Sequence, residues 1–131
     1  MWTHRWGQVS YRCADGQLRL FYSDKDPDPD LGSRNPLRVV DVDPQTCAYS
    51  EPRVIVDLKK AGLPFHHPFA DMAKLCPPHN GRQTLIFRTI DRQMTADPAT
   101  GDPSLSDTAF AAAGIHYADL TYDAMEETWA F

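Results

Sequence analysis

This sequence predicts a mostly-β fold made of two four-stranded antiparallel meanders, and three observations carry that expectation. First, the 131 residues repeat a pattern of four short extended runs, once over residues 4–57 and again over residues 66–131. In each copy the second run follows a polar-Gly turn and the third ends in Asp. Second, the apolar runs are of strand length and rich in β-branched and aromatic residues. Third, eleven prolines cluster between those runs, and proline is excluded from central strands. A four-stranded meander is one blade of a β-propeller, and a blade alone cannot bury both its faces. The pattern therefore predicts a neighbour, either a second copy of the chain or the remainder of a longer propeller. A closed small β-barrel and an α+β domain are the alternative folds.

The elements follow in order. Trp6 to Arg12 is the first run, and Asp15-Gly16 is a hairpin signal ahead of the second, Leu18 to Asp24. There Leu18, Leu20 and Tyr22 share one face, while Arg19, Phe21 and Ser23 share the other. Neither face is cleanly polar, which predicts a strand covered on both sides. Val39, Val40 and Val42, then Val54, Ile55 and Val56, mark the third and fourth runs. In the second copy, residues 68–76 fit two periods. Phe69, Met72, Ala73, Leu75 and Cys76 suit a helix begun by Pro68, and the same stretch suits a strand. Asn80-Gly81 precedes Thr84 to Ile90, and Gly114 to Asp123 is the next strand. Thr128 to Phe131 would complete the repeat. A short helix is expected over residues 104–113, capped by Ser106 or Asp107 and ended by Gly114. Two long loops, 24–35 and 92–103, fall between the second and third strands of each copy, where functional loops are often found.

Bulk properties narrow the function. One domain spans the chain, with 42% hydrophobic and 24% charged residues. A net charge of −5 argues against nucleic acid, whose phosphates require a basic face. No apolar run approaches the roughly 20 residues that cross a bilayer. The first residues lack the apolar stretch of a signal peptide, so a cytoplasmic location fits, or secretion if the N-terminus is truncated. Cys13, Cys47 and Cys76 are an odd count without a CxxC pair, which argues against a disulfide framework. No cofactor-binding motif is present.

The order of certain runs resembles the five-bladed propeller glycosidases, above all the levansucrase-like fructosyltransferases and their invertase-like relatives. Trp6-Gly-Gln-Val-Ser and Asp15-Gly-Gln-Leu-Arg-Leu-Phe-Tyr-Ser-Asp24 are similar to that family's Trp-Ser-Gly-Ser strand and the strand after it. Phe65-His66-His67-Pro68-Phe69 stands where the family has Phe-Arg-Asp-Pro-Phe, and Ile86-Phe87-Arg88 where it has Val-Phe-Glu. Gly114-Ile-His-Tyr-Ala-Asp119 is similar to a later blade strand. The resemblance implies the family's fold and a carbohydrate ligand. It also carries departures. His67 stands where the family's transition-state Asp belongs, and Arg88 where its Glu belongs. A retaining glycosidase needs two carboxyl groups about 5 to 5.5 Å apart, and the matching places here do not supply that pair. The expected function is thus a carbohydrate-active protein, as a fragment or degenerate form of such an enzyme. One alternative is a non-catalytic two-blade sugar-binding or interaction module that oligomerises. Another is a small β-barrel enzyme acting on a hydrophobic small molecule.

If glycosyl groups are turned over, Asp71 and Asp24 are the candidate catalytic carboxylates, with His67 beside them. In propellers the first strand of a blade lines the central channel, which brings Trp6, Gln8 and His66 toward a ligand. Arg88 and His116 complete the candidate binding set, Trp6 as a stacking ring. His66-His67 with Asp71 and His79 is a dense imidazole group, but its spacing matches no zinc pattern, and no metal is expected. Asp24, Asp26, Asp28 and Asp30 form an acidic loop that lacks the Gly and Glu of a calcium hand.

Overall fold

The computed structural model describes residues 6–25, 34–80, 82–91 and 112–120; the side chains of residues 6–9 and 25 are outside that description. These residues form one seven-stranded sheet. Its strands are β1 (Trp6–Arg12), β2 (Leu18–Lys25), β3 (Arg34–Val42), β4 (Arg53–Val56), β5 (Pro68–Leu75), β6 (Gln83–Asp91) and β7 (Gly114–Leu120). The protein is mostly β, and seven of the eight expected strands are present. The eighth, at 128–131, lies outside the described residues. So do the acidic loop at 26–33 and all but the last two positions of the helix expected at 104–113. Among the described residues no helix is long and apolar enough to cross a membrane.

β1 to β4 form an antiparallel meander, and β5 to β7 form another. The two join through a single parallel bridge, Arg34 to Phe69, so the sheet runs β1-β2-β3-β5-β6-β7 with β4 branching from β3. The sheet is open. That overturns the closed-barrel alternative, because a barrel needs an unbroken ring of ladders with a consistent stagger. Here the edge of β3 divides between β5 and β4, and no ladder joins β7 to β1 among the described strands. The α+β alternative finds no helical element among the described residues either.

Pro36 lies inside β3, against the expectation that prolines only punctuate strands. Its position explains the tolerance. On one edge β3 changes partner here, from Phe69 of β5 opposite Arg34 to Val56 of β4 opposite Leu37. On the other edge the ladder with β2 is bulged between Ser23 and Lys25. A residue without an N–H fits such a gap.

One core takes side chains from both meanders: Phe21, Val39 and Ile55 from the first, Ala70, Phe87 and Leu120 from the second. As expected, β2 is covered on both faces, since Phe21 and Tyr22 are both fully buried. Two hydrogen bonds tie the meanders further. Ser23 Oγ donates to the Ala70 carbonyl, and Ala14 N–H donates to Gln83 Oε1 at 2.9 Å.

Ion pairs fix the turns. Arg19, buried on β2, donates to both oxygens of Asp15 at 2.7 and 2.6 Å, and to Asp41 at 3.0 Å. The Arg19 guanidinium holds the Asp15 carboxyl below its usual value of 3.8. Asp57 caps the turn after β4. Burial works against its charge, but the Asn35 amide and the Lys60 and Lys59 N–H groups prevail and lower its pKa.

Candidate functional site

β5 builds the site. Ala70 points into the core, so by strand alternation its neighbours Phe69 and Asp71 share the opposite face. Then the strand is interrupted. Met72 adopts a left-handed backbone, φ 55°, and the pairing with β6 shifts between Asp71 and Lys74. This is a β-bulge of one extra residue, a device found beside functional sites because it re-aims side chains. Ala73 returns to the core after it.

Asp71 sits directly across from Arg88 of β6. Arg88 grips the carboxylate side-on, Nε to Oδ1 at 2.9 Å and Nη2 to Oδ2 at 2.9 Å. Arg34, at the start of β3, donates from Nη1 to Oδ2 at 2.9 Å. Its guanidinium also lies 4.8 Å from the centre of the Phe69 ring, within cation–π range. The Asp71 side chain is wholly buried, while those of Arg34 and Arg88 are 31% and 29% exposed. One buried anion thus orients two half-exposed cations. These are charge-assisted bonds, the strong kind. With both oxygens engaged, Asp71 is poorly placed to attack or to take a proton. It is well placed to hold guanidinium donors still.

His66 and His67 meet a different carboxylate. Their backbone N–H groups donate to Oδ2 of buried Asp91, at 2.6 and 3.1 Å. Asp91 thereby caps the chain where it turns into β5. The His66 side chain is exposed. The His67 ring is half-buried, and its Nδ1 has no hydrogen-bond partner among the described residues.

The structure brings Asp71 and Arg88 together and ties the backbone of His66 and His67 to Asp91 at the end of β6. It places the other expected residues differently. Asp24, on β2, is held by Arg38 of β3. His116, on β7, stacks on Phe87 with ring centres 6.3 Å apart, and its Nε2 lies 3.3 Å from the Ala112 carbonyl. Trp6 and Gln8 stand on β1, with side chains outside the described residues. Among the described residues no group of three His, Cys, Asp or Glu side chains is arranged to hold a metal ion. Cys13, Cys47 and Cys76 are free thiols.

Sequence reading missed Arg34 and Asp91. Nothing local marks Arg34, because its role depends on a bridge to Phe69 across 35 positions of chain. Asp91 carried a faint signal, as an acidic residue closing an apolar strand. No family model, curated protein or solved structure matches the chain.

Proposed function

We propose that this chain is a carbohydrate-binding module of propeller-like construction, with its sugar site on the Asp71 face of β5 and β6. The observation that carries the reading is the buried Asp71 carboxylate holding Arg34 and Arg88 half-exposed, one of them against the Phe69 ring. A planar guanidinium fork offers paired donors to adjacent hydroxyl oxygens, and Arg88 uses only two of its five N–H groups on Asp71. The two successive meanders and the resemblance to propeller glycosidases support the same class of ligand.

Binding is favoured over turnover by one further observation. Each carboxylate near the expected machinery is already engaged: Asp71 by two arginines, Asp24 by Arg38, Asp91 by two backbone amides. A retaining mechanism needs a nucleophile and an acid facing each other across a bond.

Calorimetry against sucrose, fructans and arabino-oligosaccharides tests the proposal. Binding of at least one, weakened in Arg88→Lys, is the expected result, since lysine keeps the charge and loses the fork. No heat with any of the three sugars, in a folded sample, sinks it. Release of reducing sugar by the wild type would instead return the chain to the hydrolases.

A further inference from the structure

We infer that the cleft between the β5–β6 turn and β7 is a second ligand site, and that it takes a sugar acid. The cleft holds about 460 Å³ and is lined by Pro77, His79, Asn80, Arg82, Thr84 and Asp119. That volume lies in the range of small-molecule pockets. It is separate from the Asp71 face: Arg88 lies four residues beyond Thr84 on β6, roughly 13 Å at about 3.3 Å per residue.

The frame of the cleft is tightly bonded. His79 N–H donates to the Arg82 carbonyl at 2.8 Å, and Arg82 N–H returns a bond to the His79 carbonyl at 3.0 Å. Asn80 takes the left-handed backbone, φ 49°, that asparagine tolerates and a tight hairpin demands. Below the turn, Cys76 N–H donates to the Thr84 carbonyl, and the Gln83 side chain donates back to the Cys76 carbonyl. Across from Thr84, Asp119 of β7 accepts the threonine hydroxyl at 2.8 Å on Oδ1.

Among the described residues, neither the Arg82 guanidinium nor the His79 ring makes a side-chain hydrogen bond or ion pair, and Asp119 is engaged at one oxygen only. A cation and an anion therefore line one cleft without pairing. A ligand that answers both carries a carboxylate for Arg82 and donors for Asp119. Hydroxyls suit those donors better than an ammonium does. An ammonium has three donors and accepts nothing, whereas the cleft offers one half-used carboxylate beside groups that also donate, Asn80 and His79. Pro77 supplies an apolar wall for the C–H face of a sugar ring.

The probe is D-glucuronate, followed by amide NMR shifts, with D-glucose and L-alanine as comparators. Saturating shifts at His79, Asn80, Arg82, Thr84 and Asp119 are expected with glucuronate. The affinity is expected to fall at least tenfold in Arg82→Met and in Asp119→Ala, and to hold in Lys60→Met, an exposed cation elsewhere. All three variants must keep the wild-type circular dichroism spectrum, and their exposed or half-exposed positions make that the expected result. The inference fails if glucuronate leaves those amides unmoved, if Arg82→Met binds as tightly as wild type, or if glucose or alanine binds equally well. Shifts confined to Asp71 and Arg88 also overturn it, while leaving the first site standing.

Discussion

Asp71 and Arg88 face each other across β5 and β6 and share two parallel hydrogen bonds, each 2.9 Å long. The arrangement is lopsided, because the anion is fully buried and the cation is not. Removing the two partners therefore has unequal consequences. Asp71→Asn leaves Arg34 and Arg88 close together with no charge between them. It is expected to cost about 3 kcal/mol, the low end for a broken buried pair, since both arginines reach solvent. Arg88→Met leaves Asp71 paired with Arg34 and is expected to cost about 1–2 kcal/mol. Urea denaturation of the two variants measures both values. Equal losses, or a loss below about 1 kcal/mol for Asp71→Asn, would mean that the pair is not the anchor of this face.

Met72 supplies a second test. Its left-handed backbone sits on a side chain that is 58% exposed, so little packing compensates the strain. Met72→Gly is expected to stabilise the protein by up to about 1 kcal/mol, because glycine adopts that conformation freely. Met72→Ile is expected to destabilise it by about 1 kcal/mol, because a branched Cβ fits the left-handed region worst. Thermal melts compare the three proteins. A stabilised Met72→Ile would show that the bulge is absent in solution.

The same bulge explains where sequence reading blurred. Ala70 and Ala73 both reach the core, three residues apart, because one extra residue lies between them. Core positions three apart are the signature of a helix, so a bulged strand imitates one. On β6 the two-residue period is unbroken, with Leu85 and Phe87 inward and Ile86 and Arg88 outward, although its sequence shows no cleanly polar side. Asp71 and Arg88 were singled out from sequence one at a time. Their union was not legible, since it depends on the register that the bulge sets. Arg34 joins them only because β3 and β5 run parallel at one point, which no local pattern encodes.

Acid should loosen the first meander. The folded Asp15 and Asp57 have pKa values below the ordinary 3.8. A depressed carboxyl pKa means that the folded state prefers the charged form. Its contribution is fully present above 3.8 and disappears as pH falls below that value toward the folded pKa. The melting temperature is expected to stay nearly flat between about pH 7 and 5 and then to fall steeply below about pH 4. Asp57→Asn should flatten part of that descent, because it removes one titrating group. A melting temperature insensitive to acid, or an unaltered slope in the variant, would contradict the assignment.

The outer face of β7 tests whether the sheet has a neighbour. Ile115 and Tyr117 are 71% and 61% exposed, while Ala118 and Leu120 on the same strand are buried. Across the ladder Tyr117 opposes Ile86, so the apolar surface continues onto β6 at that point. β7 is also the last strand of the sheet among the described residues. A bared apolar face is what a blade presents before the next blade packs on it. A second copy of the chain can supply that blade, with cyclic closure as the simplest outcome. The expected result is a solution mass above the 14.8 kDa of one chain, by light scattering at micromolar concentration. The double variant Ile115→Lys/Tyr117→Lys is expected to run as a folded monomer, since neither side chain supports the core. A monomeric wild type across that range would remove self-closure, and the face would then need a covering that is not this chain.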